Sequence, residues 1–252
     1  MRFDGKVVLI TGAGSGLGRA GALRFASEGA KVGIADLSEE KGEETLRLVE
    51  KAGGQGIFIK TDVSKAGDCE RMVRRTSEAF GGLHVLIANA GIYAPTDQRI
   101  TDLDYHVFEQ VLDVNLKGVF LSAKYAFPAI MKSGGGAAVV LSSSAALVGS
   151  DATAYGVSKG GVLSLGRCLA KQYALRGIRV NIILPGSIDT PIHEDVRASQ
   201  ALRTSPSSGK KSMIDRQGKP EEVAALMAFL ASEDASFITG TAMTADGGLT
   251  AV

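Results

Sequence analysis

Two side chains near the middle of the chain could carry proton-transfer chemistry. Tyr155 and Lys159 stand in "AYGVSKGG", four positions apart in a segment whose pattern predicts a helix. Residues i and i+4 share one helix face. A phenol ionises near pH ~10, and a nearby ammonium favours the phenolate and lowers that value. Of the tyrosines, at 93, 105, 125, 155 and 173, only Tyr155 has a lysine four residues later. Such a pair could give or take a proton at a carbinol or carbonyl oxygen. Taken in isolation, the same spacing also describes a surface Tyr–Lys pair. Upstream, "LSSSAALVG" places Ser142, Ser143 and Ser144 at the end of a strand-like run. In a doubly wound sheet that end faces the ligand crevice, so a serine hydroxyl there could hold a substrate oxygen.

A second constellation lies near the start, in "LITGAGSGLGRA". The usual G-x-G-x-x-G fingerprint fails there, because Leu17 or Arg19 falls where the third glycine should be. The spacing that fits is G-x-x-x-G-x-G, through Gly12, Gly16 and Gly18. An apolar strand precedes the turn and an amphipathic helix follows it. Free backbone N–H groups and the positive end of a helix dipole meet at such a turn, which suits a pyrophosphate. Without a Cβ, the phosphate can come close. Gly12, Ser15, Gly16, Leu17 and Gly18 are therefore candidate cofactor contacts.

Asp36 closes the next strand, eighteen residues after Gly18. A carboxylate there can accept hydrogen bonds from an adenosine ribose diol, and it repels a 2′-phosphate. Ser15 and Leu37 are not basic, so no cation is evident to offset that phosphate. NAD(H) is expected over NADP(H). After the third strand, "TDVS" offers Asp62 and Val63. Asp62 could reach an adenine amino group, or it could cap the following helix, a place for which Ser64 competes.

These residues need a scaffold. Apolar runs at 6–11, 31–36, 56–60, 84–88, 137–142, 179–184 and 241–245 read as strands. Most are continuous rather than alternating, as in a parallel sheet covered on both faces. Helical patterns at about 16–29, 39–52, 65–80, 102–132, 153–176 and 220–231 alternate with them. The expected fold is α/β: one Rossmann-type domain over 1–252, with a doubly wound parallel sheet of about seven strands and helices on both faces. Residues 190–219 break the rhythm and are expected to form a lid over the substrate site.

Composition narrows the function classes. Hydrophobic residues make up 45% of 252, and the net charge of +1 gives no reason to invoke nucleic acid. "MRFDGKVV" has no long apolar segment, and no run of about 20 apolar residues occurs, so neither a secretory signal nor a membrane span is expected. Cys69 and Cys168, both in predicted helices, argue for a reducing, cytoplasmic setting and are expected to be buried and inert. No cluster has metal-ligand spacing, so no metal is expected. His84 is expected to begin a strand facing solvent, and His106 to lie on a helix surface. His193, Arg197, Arg203, Lys210, Lys211 and Arg216 belong to the lid. There they could meet substrate or simply be solvated. Tyr93 and Ile192 are candidates for a mostly apolar substrate wall.

Over essentially its full length the chain resembles the short-chain dehydrogenase/reductase family. The matching motifs are "TGAGSGLG", Asp36, "DV" at 62–63, "NAG" at 89–91, "DVNLKG" with Asn115, the serine run, "YGVSK", "PGSIDTP" at 185–191 and "ITGTAMTADGG". The resemblance implies a secondary alcohol/ketone oxidoreductase using a nicotinamide cofactor. In it, Tyr155 is the general acid/base, Lys159 lowers its pKa and holds the nicotinamide ribose, and a serine polarises the substrate oxygen. Asn115 holds a water that relays protons from Lys159. Asn89, Ala90 and Gly91 line the adenosine ribose, while the stretch with Pro185, Gly186, Ile188 and Thr190 meets the carboxamide end. It also implies a homotetramer or homodimer built through the two long helices. The family's serine usually lies thirteen residues before its tyrosine, which is Ser142 here. Ser143 aligns better from both flanks, given a one-residue deletion in "GSDATAY". Ala88 stands where the family often has asparagine, and His84 where it often has aspartate. Non-redox chemistry on the same fold, and a silent NAD(H)-binding sensor, are the competing expectations.

Overall fold

The computed structural model describes residues 1–192, 194 and 212–251. Most of the expected lid, including His193, Arg197, Arg203, Lys210 and Lys211, lies outside the described residues.

Seven strands form one parallel sheet: β1 Val7–Thr11, β2 Lys31–Asp36, β3 Gln55–Lys60, β4 Val85–Ala88, β5 Gly136–Leu141, β6 Ile178–Pro185 and β7 Ala242–Ala245. Their order is β3-β2-β1-β4-β5-β6-β7. The chain thus builds outward from β1 to β3, then returns to lay β4 on the other side of β1. Segments leaving β1 and β4 part in opposite directions, and a crevice opens at their carboxyl ends.

The apolar runs are continuous because both faces are covered. In β1, Val7 and Leu9 enter one core, with Met72, Phe127, Ile130 and Val162 from helices on that side. Val8 and Ile10 enter the other, with Phe25, Val49 and Met227. Side chains of a strand alternate between faces, so an unbroken apolar run feeds two cores at once.

The helices are α1 Gly16–Ser27, α2 Glu39–Lys51, α3 Ala66–Phe80, α4 Tyr105–Leu112, α5 Gly118–Lys132, α6 Thr153–Tyr173 and α7 Pro220–Ala231. The single helix expected over 102–132 is corrected. It begins only at Tyr105, where Asp104 caps it through the His106 N–H, and a π turn at Asp113–Lys117 interrupts it. A π turn closes i→i+5 bonds, here from the Gly118 N–H to the Asp113 carbonyl. Asn115 sits in that turn.

Both cysteines are free. Cys69 is buried, but Cys168 is exposed on α6, against expectation. Arg167 and Leu169 flank it, one charged and one apolar, so the sequence pattern left its face undecided. His106 lies on the surface near Glu109. Among the described residues, no helix is long and apolar enough to cross a membrane.

His84 departs from the expected solvent-facing role. It is half-buried, and its Nδ1 accepts a hydrogen bond from the Val7 N–H at 3.0 Å, while its own N–H donates to the Val7 carbonyl. The ring thus extends the β1–β4 ladder by one side-chain bond. Burial, aided by Lys6, pushes its pKa below the ordinary value. A depressed pKa means the unfolded chain takes the proton first, so stability present above about pH 6.5 is lost as pH falls. The melting temperature of the protein should drop between pH 8 and pH 5, and His84→Gln should flatten that slope. An unchanged slope in the variant counts against the pairing.

Candidate functional site

A cleft of about 630 Å³ runs along the carboxyl edge of the sheet. Every strand from β1 to β6 contributes to it at or just past its end. From the sequence, it collects Gly12, Ser15, Gly16, Leu17, Asp36, Asp62, Val63, Asn89, Ala90, Gly91, Ser142, Ser143, Tyr155, Lys159, Pro185, Gly186, Ile188 and Thr190. Two expected residues are absent from its wall. Gly18 lies just behind it, and Asn115 is buried beneath it.

The glycine turn is shaped by close approach. A Cβ at Gly18 would stand 2.0 Å from the Gly12 carbonyl oxygen, so no side chain fits where α1 starts. Ser15 is the N-cap of α1 but makes no side-chain cap bond. The first-turn amides of α1 therefore face the cleft without that cap, which suits an anionic ligand. The turn is pinned to β4. The Thr11 hydroxyl accepts from the Asn89 and Ala90 N–H groups at 3.0 and 3.1 Å, and the Asn89 amide donates to the Thr11 and Gly12 carbonyls at 3.0 and 3.1 Å.

Gly14, which the spacing rule passed over, has its own reason. A Cβ there would lie 2.8 Å from the Asp36 carboxyl carbon. The Gly14 N–H donates to Asp36 Oδ2 at 2.7 Å, and the Ser38 N–H to Oδ1 at 2.9 Å. Both carboxylate oxygens are thereby aimed, each keeping a lone pair for a further donor. Lys41 also lines this end of the cleft. The expected lack of a nearby cation is corrected: helix α2 brings one round, three residues past its Ser38 cap.

Asp62 lines the cleft and takes the Ser64 N–H and hydroxyl on Oδ1, at 2.9 and 2.7 Å. It makes a local turn instead of capping α3, whose N-cap is Lys65. Ser64 does not cap α3 either.

At the other end, Lys159 is buried and its Nζ donates to the Leu141 carbonyl at 3.0 Å. Burial lowers its pKa to about 8. Its Nζ lies 5.7 Å from the Tyr155 ring centroid. Tyr155 does not have the depressed pKa that the Tyr–Lys spacing predicts. Enclosure raises it, a hydrogen bond with Ser143 lowers it, and Tyr93 raises it further. The rings of Tyr93 and Tyr155 lie 5.2 Å apart.

The two serines diverge because neighbouring residues of an extended chain point to opposite sides. Ser142 Oγ donates to the Lys159 carbonyl at 2.7 Å and ties the strand end to α6. Ser143 Oγ accepts from the Ala145 N–H and meets Tyr155. Asn115 spends its side chain on neighbours. It accepts from the Ile92 N–H at 2.8 Å and donates to the Ile92 carbonyl and Ser158 Oγ at 3.0 and 3.1 Å. Ile92, Tyr93, Val114 and Ile192 give the cleft an apolar wall here. Of the lid cations, Arg216 is described, and both its terminal nitrogens hold Glu222, at 2.8 and 2.7 Å.

A family model described as enoyl-(acyl carrier protein) reductase matches residues 12–250. An uncharacterized oxidoreductase of Thermotoga maritima is 44% identical, with both chains covered in full. Cyclohexanol dehydrogenase of Acinetobacter sp. is 37% identical over 99% of this chain and 96% of its own. A solved short chain dehydrogenase from Mycobacterium paratuberculosis, bound to NAD, superposes with a TM-score of 0.94 at 28% identity and covers both chains in full.

The contact between Gly14 and Asp36 can be tested directly. Gly14→Ala should weaken NADH binding by on the order of tenfold or more, read by NADH fluorescence, with little loss of melting temperature. Wild-type affinity in that variant would mean Asp36 does not depend on the close approach.

Proposed function

The chain belongs to the short-chain dehydrogenase/reductase family, and we propose that it interconverts a small alicyclic secondary alcohol and its ketone with NAD(H), using Tyr155 as acid/base. The observation that carries this reading is the meeting of Tyr155, Ser143 and Lys159 at one end of a cleft whose other end holds Asp36. The substrate class is drawn from the cyclohexanol dehydrogenase relative and suits the apolar wall.

The residues fit a dinucleotide. The turn from Gly12 to Gly18, with Ser15 and Leu17, would hold the pyrophosphate. Asp36 would take the adenosine ribose diol, with Asn89, Ala90 and Gly91 beside it and Asp62 and Val63 at the adenine. Lys159 would hold the second ribose, and Pro185, Gly186, Ile188 and Thr190 the carboxamide end. When bound, the nicotinamide supplies a hydride acceptor or donor.

The protein handles the proton. During oxidation, Tyr155 takes the hydroxyl proton of the carbinol as its oxygen becomes a carbonyl. During reduction it returns that proton. The Ser143 hydroxyl, already bonded to Tyr155, is placed to hold the same substrate oxygen. Lys159 sets a positive charge beside the phenol and favours the phenolate at the moment it forms. Both N–H groups of the Asn115 amide are taken, so a relay water could only donate to it, at Oδ1 or the backbone carbonyl. Because enclosure raises the phenol, its base form accumulates only at alkaline pH. Half-exposed Phe120 on α5 and Val157 on α6 support assembly through those helices.

The test is cyclohexanol with NAD+, followed by NADH absorbance. Turnover should rise with pH as the Tyr155 phenol ionises, and the gain should lessen above about 8, where Lys159 loses its charge. Tyr155→Phe should lose on the order of a thousandfold in kcat, and Ser143→Ala on the order of a hundredfold. Ser142→Ala should keep most turnover and lose about 1 kcal/mol of stability, the worth of one buried hydrogen bond. Near wild-type turnover by Tyr155→Phe would overturn the assignment.

Cofactor choice has a separate test. Asp36→Ser removes the repelling carboxylate and leaves Lys41 in the wall. NADPH affinity should rise at least tenfold or so while NADH affinity falls, read by fluorescence titration. A wild-type protein that binds NADPH more tightly than NADH would refute the NAD(H) preference.

A further inference from the structure

The residue proposed as acid/base occupies a weak place. Tyr155 is the third residue of α6, which begins at Thr153. The first four N–H groups of a helix lack partners within it, and such turns fray unless something holds them. The N-cap of α6, Ala152, offers no side-chain bond.

A distant carboxylate fills that place. Asp97 lies in the loop between β4 and α4 and is fully buried. Its Oδ1 accepts from the Ala154 N–H at 3.0 Å, and its Oδ2 from the Tyr155 N–H at 2.8 Å. The neighbouring carbonyl of Gln98 accepts from the Thr153 hydroxyl at 2.7 Å. A buried carboxylate is costly unless its oxygens are satisfied, and charge-assisted bonds to a helix N-terminus are among the strong ones. Carbonyl-side support comes from Ser158, whose hydroxyl donates to the Tyr155 carbonyl at 2.8 Å. The same loop also supplies Tyr93, whose ring packs on that of Tyr155. One loop therefore grips Tyr155 by its backbone amide and by its ring.

We propose that Asp97 is a positioning residue. It caps α6 from another element, holds Tyr155 in register with Ser143 and Lys159, and joins the helix to the loop that carries Tyr93. The inference rests on the proposed role of Tyr155. Asp97 itself touches no reacting atom.

Asp97→Asn keeps one acceptor oxygen, and Asp97→Ala keeps none. Cyclohexanol oxidation well below the melting temperature should fall about tenfold in kcat for Asn and on the order of a hundredfold for Ala. The KM for NAD+ should stay within about twofold. Amide exchange should speed up at Ala154 and Tyr155 while the rest of α6 and the sheet stay protected. That local pattern, with partial rescue by Asn, separates positioning from general destabilisation. The proposal is overturned if Asp97→Ala keeps kcat within about threefold of wild type. It is equally overturned if exchange rises evenly along the chain, or not at all. Should the Ala variant fail to fold, the Asn variant decides by the same readings. If the wild type itself does not oxidise cyclohexanol, the substrate reading falls, and exchange at Ala154 and Tyr155 still decides the cap.

Discussion

Everything in the cleft depends on how β1 and β4 are held at their carboxyl ends. The strands run side by side, but the chain leaves them in opposite directions, and a gap must open between the departing segments. One knot spans that gap. Thr11 accepts two amides from the start of the segment after β4, and Asn89 returns two bonds to the glycine turn. The amides of α1 and the loop that carries Tyr93 are thus referred to a single fixed edge. Precision matters here because a misplacement of about 1 Å at a reacting group costs on the order of a hundredfold in rate.

The two ends of the cleft are built on different principles. The adenosine end works by exclusion and aim: Gly14 has no side chain, so Asp36 can come close, and backbone amides then direct both its oxygens. The proton end works by enclosure. Lys159 and the phenol of Tyr155 each meet an environment that opposes their charged forms, one pushed down and the other up. The two values, close together for free side chains, are thereby driven apart, with the phenol left above the ammonium.

The sheet was legible because its strands are continuous apolar runs, and all seven lie within a residue or two of where those runs end. The glycine turn, Asp36, and the Tyr155–Lys159 pair were legible because their spacing is short and local. What escaped was decided by distance. Asp97 reads as one acid in a polar loop, and its partners lie 57 and 58 positions away. Lys41 is an ordinary helical lysine until α2 is folded back against β2. Ser142 and Ser143 are alike in composition, and only the alternation of the backbone separates them. The π turn left no mark in the sequence, where 102–132 reads as a single helical pattern.

The extra residue of that π turn has a consequence for how the protein can vary. An α-helix turns by about 100° per residue, so α4 and α5 are one step out of phase with each other. Asn115 sits at the dislocation, and it can reach Ile92 and Ser158 together because neither helix's repeat constrains its direction. Losing any one residue between Asp113 and Lys117 would heal the helix and swing α4 around its axis. Length in this stretch therefore matters as much as the residues that fill it. One helix cannot slide against the other without dismantling the floor of the cleft, where Asn115 holds Ile92 and Ser158.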